Sequence, residues 1–180
     1  MKKDVVFMNI FYPDKYAENV FKIDYDKLKN NGIKCLIFDL DNTLVPVHSN
    51  TVSKEVKNLF KTLKNKKFTI ILMSNSLKKR VELFKKKLKV PCFSFSMKPL
   101  KKNYKKVLKE YGFDMSEIAC IGDQIMTDVW GANKMGFTSI FLDKMQEEDF
   151  KWTKLNRVLE KMILKHFNRQ NRFTKGSYYD

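Results

Sequence analysis

The sequence predicts an α/β fold of three layers, in which helices cover both faces of a five-stranded, mostly parallel sheet, built as a single domain over residues 1–180. Three observations carry this expectation. Between Ile33 and Leu142, short β-branched or aromatic runs alternate with longer amphipathic, Lys-rich segments, the pattern of βα units. Continuous apolar runs such as Thr69-Ile70-Ile71-Leu72-Met73 suit strands buried on both faces. The composition, 43% hydrophobic and 13% aromatic with fifteen Phe, can bury enough apolar surface to offset chain entropy without disulfides or metals. A disordered chain and two tandem enzymes are thereby excluded.

In chain order, residues 1–32, which contain Pro13 and Asn30-Asn31-Gly32, read as a short helical lead-in. The core, 33–143, is expected to hold strands over 34–38, 68–73, 92–95, 118–121 and 138–142. Helices are expected near 52–64, 77–88, 99–110 and 125–134, with Pro99 at a helix start, where a missing N–H is tolerated. A final amphipathic helix, 152–169, begins at Trp152. It gathers Leu155, Val158, Leu159, Met162, Ile163 and His166 on one face and sets Lys154, Arg157, Lys161 and Lys165 opposite or beside them. Such a stripe either docks on its own domain or lies in a membrane interface.

The net charge of +16, from 36 basic and 20 acidic residues, suggests a polyanionic partner, either nucleic acid or an acidic membrane. The bias is compositional in part, because only four of the basic residues are Arg, the better phosphate reader. Cys35, Cys92 and Cys120 are far apart and embedded in apolar stretches, as reduced core thiols are. The amino-terminal apolar run is short and lacks a small-residue cleavage site, and no stretch approaches the roughly 18 apolar residues of a membrane span. A cytoplasmic protein is expected, touching the inner face of a membrane peripherally at most.

Ligands of a doubly wound sheet bind outside the carboxyl ends of its strands. The first predicted strand runs into Asp39-Leu40-Asp41-Asn42-Thr43, the second into Ser74-Asn75-Ser76, the third toward Lys98-Pro99, and the fourth into Gly122-Asp123-Gln124 with Asp128 a helical turn on. Carboxylates converging without His or Cys partners describe a hard oxygen-ligand site suited to Mg²⁺, and the lone His48 and His166 argue against zinc. Asp39 and Asp41 are spaced to act as nucleophile and as acid/base on a phosphate ester. Ser74 would hold a phosphoryl oxygen, Lys98 would offset negative charge, and Asp123, with Asp128 beside it, would complete the metal shell.

In this order, the four motifs resemble those of the haloacid dehalogenase (HAD) superfamily of phosphatases, which has a Rossmann-like fold. The string from Gly122 through Asn133, with Leu44-Val45 and Tyr12-Pro13-Asp14, is similar to the YqeG family of subfamily IIIA over nearly the whole chain. The resemblance implies that Asp39 is nucleophile and metal ligand, and that Asp41 is acid/base and a ligand through its carbonyl. It implies that Ser74 and Lys98 bind phosphate, that Asp123 binds Mg²⁺ and that Asp128 stands one shell out. Thr43 and Asn75, within the same motifs, are expected to contact substrate.

The YqeG family is similar to mitochondrial phosphatidylglycerophosphate phosphatases, although Leu40 and Thr43 depart from the mitochondrial pattern. The intervals Thr43–Ser74 and Ser74–Lys98 leave no room for an inserted cap domain, so an open, capless site is expected. Residues 77–110 carry thirteen basic residues against two acids, +11 of the total +16. An anionic lipid head group is therefore the leading substrate. Nucleotides or other soluble phosphates are the alternative with the same chemistry. A non-catalytic RNA- or membrane-binding module is the alternative of another class, and its RNA form expects more Arg and aromatic stacking surface.

Overall fold

The structure, a computed structural model, describes residues 9–149, 153–170 and 173. Its elements are β1 (Lys15–Ala17), α1 (Tyr25–Asn30), β2 (Cys35–Phe38), α2 (Lys54–Asn65), β3 (Thr69–Met73), α3 (Lys78–Leu88) and β4 (Cys92–Phe93). They continue with α4 (Lys101–Tyr111), β5 (Ile118–Gly122), a π-helical turn (Ile125–Val129), α5 (Trp130–Met135), β6 (Thr138–Leu142) and α6 (Thr153–Arg169). Trp152, the expected start of the last helix, lies outside the described residues.

All strands are parallel, in the order β1-β6-β5-β2-β3-β4. The sheet thus has six strands where five were expected. The additional one is β1, so the lead-in is a strand followed by a short helix. Lys15-Tyr16-Ala17 has no apolar run that would announce a strand. It is held by tertiary pairing with β6 and by Asp14, whose carboxylate accepts from the Ser139 amide (2.8 Å) and hydroxyl (2.9 Å). At the opposite edge β4 keeps only two residues, and α4 starts at Lys101, two residues later than Pro99 suggested.

Alternation along the strands divides the core. Leu36, Phe38, Ile70 and Leu72 face α1, α2 and α3 through Leu28, Phe60, Leu63, Val81 and Phe84. On the other face, Cys35, Ile37, Ile71 and Met73 meet Tyr104 and Val107 of α4 and Ala132 of α5. This makes the three layers. The three cysteines are free, and burial pushes the Cys35 thiol up to about 12, as befits an inert core residue. Among the described residues, no helix is long and apolar enough to cross a membrane.

The chain moves outward from β2 to β3 and β4, then returns across the sheet to β5 on the other flank of β2. This reversal opens a crevice between the carboxyl ends of β2 and β5, where the acids of the first and fourth motifs emerge.

Candidate active site

Asp39 leaves the sheet in register, its amide donating to the Ile121 carbonyl (2.9 Å), so its side chain is fixed by the β2–β5 ladder. The chain then closes a tight loop in which the Leu44 amide donates to Leu40 O (2.9 Å) and that of Asn42 to Val45 O (2.8 Å). Asn42 takes φ 62°, a conformation Asn tolerates better than most residues. Across the crevice, the π-helical turn after β5 carries Asp128, whose carboxylate accepts from the Gln124 amide (3.2 Å) and the Thr127 hydroxyl (3.3 Å). Carboxylate oxygens of Asp39, Asp123 and Asp128, all buried, lie within 4.8 Å of one another.

Lys98 is the cation inside this cluster. Its Nζ donates to Asp39 Oδ1 (2.5 Å) and Asp128 Oδ1 (2.6 Å). Burial disfavours its charge, but Asp128 and Asp39 outweigh burial and its pKa is raised. Its backbone is pinned by Asn75, whose amide oxygen accepts from Lys98 N (2.7 Å) and whose amide nitrogen donates to Lys98 O (3.2 Å). Thr43 donates to Asp123 Oδ1 (3.0 Å). Thr43 and Asn75, both expected at the substrate, hold Asp123 and the Lys98 backbone respectively, and Asn75 also lines the mouth. Ser74 is buried at the crevice wall, its hydroxyl accepting from the Ser76 amide (3.0 Å).

Asp41 lines the same mouth as Asp39 but is held by other partners. Its carboxylate accepts from Ser76 Oγ (2.5 Å) and from Arg80 Nε (2.7 Å), and the other arm of the guanidinium is within 2.6 Å. It is not one of the three clustered carboxylates, whereas Asp128, expected one shell out, is.

A second arginine enters from α6. Arg157 bonds the Asp123 carboxylate, donates to Asp123 O (2.7 Å), and pairs with Asp149 (3.0 Å) and Glu160 (3.1 Å). Glu160 in turn accepts from the Ile125 amide (2.8 Å) at the start of the π turn. Helix α6 therefore docks through Arg157, Glu160 and the fully buried Phe167, while Leu155, Val158, Leu159 and Met162 of its apolar stripe stay exposed. Thr153 and Asn156 line the mouth together with Ser74, Asn75, Lys98 and Gln124. No domain is inserted in either cap interval, but the mouth is not bare, because α6 forms one of its walls.

The electrostatics favour a cation. Five buried or half-buried carboxylates (Asp39, Asp123, Asp128, Asp149 and Glu160) surround two cations, Lys98 and Arg157. Burial raises the Asp39 carboxyl well above the usual range; Lys98 opposes the rise, and Asp128, Asp123 and Asp41 add to it. Burial also pushes Asp123 up to about 6, with Arg157 pulling down and Asp128 pushing further up. An all-oxygen donor set of excess negative charge fits a hard divalent cation.

The raised Asp123 makes a pH prediction. Between its ordinary value of 3.8 and about 6, the folded protein binds more protons than the unfolded chain, so stability falls as pH rises through that window. A divalent cation competes with the proton for the same oxygens. Mg²⁺ is therefore expected to raise Tm more at about pH 8 than at about pH 5; equal shifts in a thermal-denaturation series would contradict the cluster as its site.

Gly122 permits the approach of Asp128, since a Cβ there would overlap the Asp128 carboxyl. Gly122→Ala is expected to displace Asp128 and lower turnover by about 10²-fold, with far-ultraviolet circular dichroism unchanged. Full activity would show that Asp128 has no fixed place in the reaction.

Residues 5–145 match the family model described as mitochondrial PGP phosphatase. A Bacillus subtilis protein named "Probable phosphatase YqeG" is 31% identical over 160 residues, which cover 89% of this chain and 93% of that one. Phosphatidylglycerophosphate phosphatase 1, chloroplastic/mitochondrial, of Arabidopsis thaliana is 25% identical over 169 residues, 88% of this chain but 48% of that protein, so the chain spans about half of that relative. The cobalt-bound deoxy-D-mannose-octulosonate 8-phosphate phosphatase of Haemophilus influenzae has a similar fold, with a TM-score of 0.53 at 15% identity over 82% of this chain and 96% of that one. Since the matched stretch contains every strand together with Asp39, Asp41, Asp123 and Asp128, the chain belongs to the mitochondrial PGP phosphatase family and is a phosphatase of the HAD superfamily.

Proposed function

We propose that the chain is a Mg²⁺-dependent phosphomonoesterase that works through an aspartyl-phosphate on Asp39 and acts on phosphatidylglycerophosphate or another anionic lipid head group. The observation carrying this reading is the juxtaposition of Asp39 with Asp123 and Asp128 around the Lys98 ammonium. Asp39, Asp123 and the Asp41 carbonyl would hold the Mg²⁺, with Asp128 beside them; when bound, the ion neutralises phosphate charge. An Asp39 oxygen attacks phosphorus, the new O–P bond forms, and the ester P–O bond breaks. Asp41 gives a proton to the departing alkoxide and then takes one from the water that attacks the same phosphorus. That second attack breaks the acyl-phosphate P–O bond, restores the Asp39 carboxylate and releases inorganic phosphate. In that role Asp41 exchanges Arg80 for the leaving oxygen. Lys98 and Ser74 hold phosphoryl oxygens.

A lipid substrate is supported by the family, by the absence of an inserted cap and by the excess of basic residues between 77 and 110. The test is phosphate release with Mg²⁺ from phosphatidylglycerophosphate in mixed micelles beside nucleotides and sugar phosphates. A higher kcat/KM on the lipid is expected, and a lipid rate no better than the soluble ones overturns the choice.

A further inference from the structure

The loops that deliver Ser74 and Lys98 are built against the ordinary preferences of helix starts. Helices α1 and α2 open on Asp24 and Ser53, whose side chains accept from the third residue on, with an acid in the first turn. Helices α3 and α4 open instead on Leu77 and Leu100, with no side-chain cap and no acid in the first turn, followed by Lys78-Lys79 and Lys101-Lys102. An apolar N-cap leaves amides unsatisfied, and cations there oppose the helix dipole. Leu77 and Leu100 are 67% and 50% exposed. Between them, Phe95 and Met97 adopt φ 46° and 51°, a left-handed conformation that bulky residues rarely take, and are 62% and 45% exposed. The two loops are tied together, the Phe95 amide donating to Ser76 O (2.9 Å) and that of Ser96 to Ser74 O (3.0 Å). Four large apolar side chains and four exposed lysines therefore stand on one hydrogen-bonded rim of the mouth.

We propose that this rim is a bilayer-docking platform, with Leu77, Phe95, Met97 and Leu100 entering the interface of an anionic membrane and Lys78, Lys79, Lys101 and Lys102 meeting its phosphates. The apolar residues are each separated along the chain by small or polar residues, and the lysine pairs follow Leu77 and Leu100, an arrangement that suits a fluid anionic surface better than a shaped protein partner. Lysine, a point charge without a fork, suits diffuse negative charge in the same way. Helix α6, which reaches the same mouth through Thr153 and Asn156, exposes Leu155 and Met162 as well. The proposal deepens the lipid-head-group reading and rests on it for its purpose, since docking would bring the mouth to the plane where the head groups lie.

The test is flotation with vesicles of equimolar phosphatidylcholine and phosphatidylglycerol, using the full chain and the Leu77→Ser/Leu100→Ser double variant. The wild type is expected to float with these vesicles, less so at high salt, and the variant to partition about tenfold more weakly. Because Ser is a good N-cap, the variant should melt no lower than the wild type, and its Mg²⁺-dependent hydrolysis of p-nitrophenyl phosphate should be unchanged. Absent wild-type binding, or equal binding by the variant, overturns the platform. So does loss of self-association in the variant without any vesicle binding, which would assign the rim to a second copy. Failure of the phosphatase reading is distinguishable, appearing as a protein that floats with vesicles yet does not hydrolyse p-nitrophenyl phosphate.

Discussion

Asp39→Asn is expected to abolish phosphatase turnover, by about 10⁴-fold or more, without unfolding the protein. The substitution is nearly isosteric and keeps an amide oxygen as acceptor for the Lys98 ammonium, now 2.5 Å from Asp39 Oδ1. What it removes is the oxygen nucleophile and one negative charge from a site crowded with them. Since burial already holds the Asp39 carboxyl well above its usual range, the neutral side chain relieves an electrostatic cost, and Tm without metal should hold or rise. Phosphate release from p-nitrophenyl phosphate, read beside thermal denaturation, checks both halves. A variant as active as the wild type would exclude covalent catalysis at Asp39. Asp41→Asn separates the two steps on p-nitrophenyl phosphate, whose leaving group departs without a proton: with water activation lost, acid quench should recover phosphate bound to protein.

The strands and the order of the acids could be read because both are local. A run such as Cys35-Leu36-Ile37-Phe38 followed at once by Asp39 needs no distant partner to be recognised as a strand end, and the sheet reversal then fixes where the acids meet. Strand β1 could not be read in this way, being made by Asp14 and the free edge of β6, 125 residues away. Thr43 and Asn75 stand beside acids and the lysine of the crevice, but a hydroxyl and an amide in a motif do not announce which neighbouring site residue they bond. Their partners, Asp123 and the Lys98 backbone, are distant in sequence.

Helix α6 reverses the usual sense of amphipathicity. Periodicity identifies which residues share a face, but not which face meets the domain. Here a fork that bonds Asp123, Asp149 and Glu160 at once, with Phe167 as anchor, outweighs the apolar stripe. Ser76, Arg80, Arg157 and Glu160 were absent from the expected site, yet a signal existed. In a chain with 32 Lys and only four Arg, each arginine is a candidate for a place where a planar, forked donor is used. Arg80 and Arg157 both end on acids of the crevice.

Lys98 is where catalysis and stability should prove inseparable. Its side chain is 4% exposed and is the shared partner of Asp39 and Asp128. Lys98→Met fills the same volume and leaves the two carboxylates facing each other, so about 3–5 kcal/mol of stability should be lost near neutral pH. Turnover should fall by about 10²–10³-fold as well, since the cation offsetting phosphoryl charge is gone. The sign with pH distinguishes this from a packing defect. Without the ammonium, which now opposes the rise, the Asp39 carboxyl moves still higher in the folded state. The folded variant then binds protons that the unfolded chain does not, so its stability deficit shrinks on acidification and grows as pH rises. Urea denaturation of wild type and variant across pH measures the difference directly. A constant deficit would assign Lys98 a space-filling role, whereas a deficit that closes in acid and narrows again on adding Mg²⁺ at neutral pH would identify it as the counter-charge that keeps the buried Asp39 and Asp128 together before the metal arrives.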